Sequence, residues 1–408
     1  MKHLETKKYI KTTKLIKLIG FNKVVGADIV TRDLFIKDGI TCLKSDVNDL
    51  SNCLTLDLND CVIAPGFIDP QVNGLGNCSF WSEPMPSFNE IDELRKELAF
   101  SGVVSFCPTI ITESVEKITK AIDHINAYIK QAQAASGARI LGIHIEGVFI
   151  TKYGVHNPKY VQKDLTVENL KPFIKPNVII FTLAPELDKT GEAIKCLQNN
   201  NILVSIGHSN ATYREGKAAI ENYNLHTVTH MFNSLRGVEE FSHRGNNSNI
   251  EILRSKLQDK SKINPDSDGI MLAVLEDKEV LCMVISDGIH VSPSVIKLLK
   301  EVKDNDHFAL VSDLVSKDFY DTENLKGMLG GGQYTVSDCV SNLINWKLSN
   351  IEDSLLFASR PISKQLQSAQ KAGLGHIEFG KEANIVLWDT TKNVVKGTII
   401  GENVFFNY

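Results

Sequence analysis

Glu146, His208, His230 and Asp313 are the residues of this chain whose types and placement point most directly to chemistry. Two neutral imidazoles and a carboxylate form a recurrent zinc set, with water as the fourth ligand. Such a metal brings the pKa of its water to about 7, so hydroxide is available at neutral pH. Asp313 closes the run ALVSD, where a carboxylate could take a proton from that water and later return it to a leaving group. It could instead cap the segment that follows. His144 lies two residues before Glu146 and so faces the same way on a strand. That makes it either a partner of the site or a plain barrel-core residue. His156, in the Gly/Pro loop GVHNP, could reach a substrate or simply sit on the surface. Any one of these imidazoles alone could be a hydrogen-bonded core residue, and the argument for a site is their joint placement. His3, His124, His226, His243, His307 and His376 have no such context.

That placement comes from a repeating pattern. After about residue 60, apolar runs ending in a polar residue or glycine alternate with helix-like segments. The runs are 62–74, 102–110, 138–147, 177–186, 201–210, 226–234, 279–290 and 307–314. Their Val/Ile/Leu stretches are continuous rather than alternating, as in strands covered on both faces. Amphipathic segments at 113–134, 187–200 and 211–223 lie between them. Strand then helix, repeated about eight times, predicts an α/β fold with a (β/α)8 TIM-type barrel, whose active site sits at the carboxyl ends of the strands. Those ends carry Asp69, Gln71 and Asn73, then His144 and Glu146, Glu186, His208, His230, Asp287 and His290, and Asp313. Residues 1–60 and 380–408 read as short strands with turns, and are expected to meet in a small β domain beside a 61–379 barrel. Residues 335–379 look mainly helical. The polar stretch 244–268 is expected to be a long surface loop or a short helix.

The chain has 408 residues, 43% hydrophobic content and a formal net charge of -5. That balance gives no basic face for nucleic acid. No stretch approaches the roughly 20 apolar residues of a membrane span, and the basic N-terminus has no apolar run of a secretory signal. The eight cysteines include no C-x-x-C pair, which predicts reduced thiols and a cytoplasmic location.

The strings APGFIDPQVNG, HIEG, GVHNP, GHSNAT, THMFNS, DGIHVSP and VSD occur here in the order found in the N-acetylglucosamine-6-phosphate deacetylase family. The closing GKEANIVLWD is similar to the return to the small β domain across the amidohydrolase superfamily. The resemblance implies metal-dependent hydrolysis of an N-acetyl amino-sugar phosphate. Glu146, His208 and His230 would bind one divalent metal, zinc or another ion such as Fe2+. Asp313 would be the general base and acid, and His156 would help polarise the acetyl carbonyl. Substrate contacts would come from Val155, His156, Asn233, Ser234, His290, and Leu329, Gly330 and Gly331, with His290 and the Asn233–Ser234 turn on the sugar phosphate. Arg244 is the best match, ahead of Arg236, for an arginine that reaches the phosphate bound by a neighbouring subunit, which implies a homodimer. Many amidohydrolases begin with an H-x-H pair, where this chain has Gln71 and Asn73. Amides bind zinc poorly, so a mononuclear site is expected. An N-acetylgalactosamine-6-phosphate deacetylase would carry nearly the same motifs. A non-catalytic homologue that binds a sugar phosphate is the alternative from a different class.

Overall fold

The structure is a computed structural model, and it describes residues 7–11, 14–27, 33–131, 137–237, 247–317, 319 and 330–408. Eight parallel strands run in chain order: β1 (Phe67–Val72), β2 (Val103–Ile110), β3 (Ile143–Glu146), β4 (Val178–Leu183), β5 (Leu203–Ile206), β6 (Thr227–Val228), β7 (Leu281–Val284) and β8 (Phe308–Leu310). Each pairs in parallel with its neighbour from β1 through β8. A bridge between Val72 and Leu314 brings the first strand against the chain just past the last. The result is a nearly closed (β/α)8 barrel.

The strand residues are buried on both faces, as their continuous apolar runs require. Phe106, Ile143, Ile145, Phe181, Val228 and Leu310 pack outward with helix residues such as Ile118, Ile122, Ile194 and Ile220. A second cluster holds Ile68, Val104, Ile180, Leu281, Met283 and Ala309. Their offset from the first set along the same strands places them inside the barrel. Among the outer helices, α1 (Phe88–Phe100) starts with a Ser87–Glu90 capping box. In α2 (Val115–Gln131), Ile118, Ala121, Ile122 and Ile125 form the buried stripe. Four short helices occupy most of 336–371. Within 244–268, the described part includes a helix over Asn247–Gln258.

The first apolar run divides where a single strand was expected. Cys61–Pro65 pairs antiparallel with Asn384–Asp389, in a six-stranded sheet that also holds Lys7–Lys11 and Asn403–Asn407. Phe67–Val72 turns away into the barrel. The break is Gly66, where a Cβ would lie 2.1 Å from Val104, so only glycine allows the strand to leave one sheet for the other. A four-stranded sheet of N-terminal strands completes the β region. Its core joins Leu18, Leu34 and Ile36 to Ile63, Ile385, Ile399 and Val404, so the two ends of the chain share one apolar layer.

Candidate metal centre and proton-transfer site

Glu146 ends β3, while His208 and His230 lie just beyond β5 and β6. All three are buried. His230 Nε2 is 2.7 Å from Glu146 Oε1, His208 Nε2 is 3.2 Å from the same oxygen, and the two Nε2 atoms are 3.1 Å apart. No other group of three or more His, Cys, Asp or Glu side chains among the described residues is arranged to hold a metal. Ligands about 2.0–2.2 Å from a tetrahedral zinc lie roughly 3.4 Å from one another, so the cluster is close to metal-ready. The chemistry of the donors agrees. His208 Nδ1 donates to the Lys152 carbonyl at 2.8 Å, which leaves the Nε2 lone pair facing the cluster. The site therefore fits a divalent cation.

Backbone geometry aims these groups. His208, His230 and Asp313 all have positive φ, at 49°, 32° and 49°. That region costs a non-glycine residue roughly 1–3 kcal/mol and tends to cluster where function demands it. Asp313 is held by the segment around it. Ser312 Oγ donates to Asp69 and accepts from Leu314 N, and Gly332 N donates to Asp313 O at 2.7 Å. A Cβ on Gly331 or Gly332 would lie 2.4 Å from Asp313 O or 2.1 Å from Ser312 O, so this contact requires glycine.

Gln71 and Asn73, dismissed above as metal ligands, grip the two carboxylates. Gln71 Nε2 donates to Glu146 Oε2 at 2.9 Å, and Asn73 Nδ2 donates to Asp313 Oδ1 at 2.7 Å. A carboxylate only accepts, so the amide nitrogens must face it. Burial, then the nearby Glu146 charge, pushes Asp313 up to about 7, against the pull of His230, His290 and Asn73. Burial by itself would lower His230, but the Glu146 hydrogen bond and charge raise it to about 9. Glu146 is held well below the ordinary carboxylate range: burial opposes this, and the two imidazoles overcome it.

His156 stacks edge-on against His208, with ring centroids 4.2 Å apart. Thr112 Oγ1 accepts from Val148 N at 2.9 Å and so is free to donate to His156 Nδ1 at 2.7 Å. Thr112 N also donates to that nitrogen at 3.3 Å. Nδ1 is therefore an acceptor and Nε2 carries the proton. Burial holds this imidazole well below its ordinary pKa, so it is a neutral donor. His290 differs. Nδ1 faces Asp287 Oδ2 at 2.7 Å and Nε2 faces Gly330 O at 2.5 Å, so both nitrogens carry protons. Burial lowers its pKa, but Asp287 outweighs it and the net shift is upward.

Asn73, Glu146, His156, His208, His230, His290 and Asp313 line one pocket of about 360 Å³, with Lys152, Val155, Asn233, Ser234, Gly330 and Gly331 in its wall. Of the other strand-end residues, Glu186 binds Ser209 Oγ and Asn210 N, and so fixes the turn after His208. His144 is a barrel-interior residue: Nδ1 meets Pro70 O and Nε2 meets Thr182 Oγ1, which continues to Thr229 and Ser205. Burial lowers it to about 4. Arg236 donates to the carbonyls of Asn210, Asp266 and Ser267. Arg244 and Leu329 lie outside the described residues. Thr112 and Lys152 went unnoticed in the sequence. Thr112 follows the second apolar run by two residues, and carrying the strand-end rule that far would have flagged it.

The sequence model of the amidohydrolase family matches residues 62–405. The N-acetylglucosamine-6-phosphate deacetylase of Caenorhabditis elegans is 30% identical over 385 residues, 86% of this chain and 84% of that one. The N-acetylgalactosamine-6-phosphate deacetylase of a Shewanella species is 27% identical and 91% of each chain is covered. The crystal structure of N-acetylglucosamine-6-phosphate deacetylase from Pasteurella multocida superposes with a TM-score of 0.78 at 25% identity, covering 95% of this chain and 99% of that one.

Proposed function

From the membership of this chain in the amidohydrolase family, we propose that it hydrolyses the acetamide of N-acetylglucosamine 6-phosphate to glucosamine 6-phosphate and acetate. The observation that carries this reading is the convergence of Glu146, His208 and His230 within 3.2 Å, with Asp313 in the same pocket. Glu146, His208 and His230 would hold one divalent metal, zinc in our reading. When bound, that ion acidifies water and polarises the acetyl carbonyl. Asp313, held by Asn73, takes the proton of the attacking water and then delivers it to the departing amine. His156 Nε2–H donates to the acyl oxygen as negative charge builds on it, and Thr112 keeps the proton on that nitrogen. Gln71 holds the second oxygen of Glu146, which leaves Oε1 facing the two imidazoles.

We assign Val155, Asn233, Ser234, His290, Gly330 and Gly331 to substrate contacts, together with Leu329. Arg244 would come from a second copy of the chain in a homodimer. We assign residues 1–60 and 380–408 to the small domain and 61–379 to the barrel, with the Cys61–Pro65 strand at the boundary pairing into the terminal sheet. The protein is assigned to the cytoplasm.

The test measures acetate and free amine from N-acetylglucosamine 6-phosphate, with the galactosamine isomer in parallel. Wild type should turn over the glucosamine substrate faster. Asp313→Asn should retain its metal and lose about 10²–10⁴-fold in kcat. Stoichiometric metal with no turnover of either substrate would favour a sugar-phosphate-binding protein over an enzyme. Faster turnover of the galactosamine isomer would reassign the substrate.

A further inference from the structure

The pocket contains a cation that the metal centre does not use. Lys152 lies on the loop after β3 and lines the pocket beside Asn233 and Ser234. Its Nζ donates to the Leu235 carbonyl at 2.7 Å. None of the carboxylates among the described residues forms an ion pair with it, although most of the other pocket charges are compensated or committed. Glu146 faces two imidazoles and Asp287 neutralises His290. A lysine ammonium has three donors, and among the described residues two of them remain for a ligand.

The loop is fixed rather than free to swing. Thr151 N and Lys152 N both donate to His208 O, and Lys152 O receives His208 Nδ1–H. Gly154 passes so close to the 234 turn that a Cβ would lie 2.9 Å from Ser234 Oγ. Another part of the wall is apolar, built from Ile111, Val315 and Phe319. The polar part that holds Lys152, Asn233 and Ser234 is the part suited to an anion. His290 is another cation in the wall, but both its N–H groups are already donated to protein acceptors, and His230 Nε2 is committed to Glu146.

We propose that Lys152, on the wall it shares with Asn233 and Ser234, binds the substrate's phosphate and sets the preference for a phosphorylated over an unphosphorylated amino sugar. This assignment rests on the deacetylase reading above. The ammonium is partly buried and meets no carboxylate among the described residues, so its counter-charge is left to a ligand. A phosphate would supply that charge and accept both free N–H groups in charge-assisted hydrogen bonds. Because Lys152 O also orients His208, ligand recognition and metal geometry meet in one residue through different atoms.

The experiment compares kcat and KM for N-acetylglucosamine 6-phosphate and N-acetylglucosamine in wild type, Lys152→Met and Lys152→Arg, with metal content measured for each. Removing a partly buried cation that faces an anion should cut the ratio of kcat/KM for phosphorylated over unphosphorylated substrate about 10- to 100-fold, with the loss carried in KM. Lys152→Arg should restore most of the ratio. Calorimetry with glucosamine 6-phosphate should show a matching loss in Kd without turnover. If Lys152→Met keeps the wild-type ratio, including the case where both substrates lose equally, Lys152 is not the phosphate ligand. Wild type inert toward both substrates would instead overturn the deacetylase reading.

Discussion

Metal binding at this site should compete with a single proton on His230. In the metal-free protein, burial disfavours charging this imidazole, yet Glu146 at 2.7 Å outweighs it and raises the pKa to about 9. A metal ligand must be deprotonated. At pH 7, two units below that pKa, about 99% of His230 carries the proton that has to leave. Apparent zinc affinity should therefore rise about tenfold per pH unit from 7 to 9, roughly 100-fold in all, and then level off. A chelator-competition titration at fixed ionic strength reads this directly. Calorimetry at pH 7 in two buffers of different ionisation enthalpy should report about one proton released, with a further fraction from Asp313, which is pushed up to about 7. Glu146→Gln removes the group that raises His230, so proton release should fall toward zero even as affinity weakens. Affinity that stays flat across pH 7–9 would refute the account of the Glu146–His230 pair. The same shift fixes the sign for stability. A folded-state pKa raised above the ordinary 6.5 contributes stability that is fully present below pH 6.5 and is lost as pH rises through 9. The chelated protein should lose on the order of 3 kcal/mol, and Tm with it, across that window.

The hydrogen bonds around the site give three further tests. Gln71→Ala frees the second oxygen of Glu146, and metal affinity, measured by chelator competition, should weaken about 10- to 100-fold. Asn73→Ala removes the 2.7 Å bond to Asp313; kcat should fall roughly tenfold with metal content unchanged, and loss of the metal would show that Asn73 acts elsewhere. Thr112→Val keeps the side-chain shape but strands Val148 N–H and releases His156 Nδ1. Unfolding free energy should drop by about 1–3 kcal/mol and kcat by roughly tenfold, and a variant unchanged in both would remove Thr112 from the site.

The elements that carry the chemistry were legible because their signals are local. Continuous apolar runs such as GVVSFCPTI name their strands, the 3.6-residue stripe of Ile118, Ile122 and Ile125 names its helix, and a polar residue closing each run marks the strand end. One local signal misled. The run 62–74 reads as a single strand, and only the packing of Val104 against Gly66 shows why it divides between two sheets. The amides show the same limit. Residue type explains why Gln71 and Asn73 are poor metal ligands, but nothing in a linear string brings Asn73 to a partner 240 residues away.

By itself, the sequence determined which side chains were available, the order in which strands and helices present them, and that the polar ones gather at one end of a barrel. Tertiary structure decided the rest: that Glu146 Oε1 meets two Nε2 atoms, that His156 and His208 hold their protons on opposite nitrogens, and that His144 faces a threonine network. It also decided which carboxylate each amide grips. Tautomers, pKa values and metal fit depend on distances of a few ångströms and on exclusion of water. Those distances exist only once barrel closure and the positive-φ turns at His208, His230 and Asp313 have brought remote segments together.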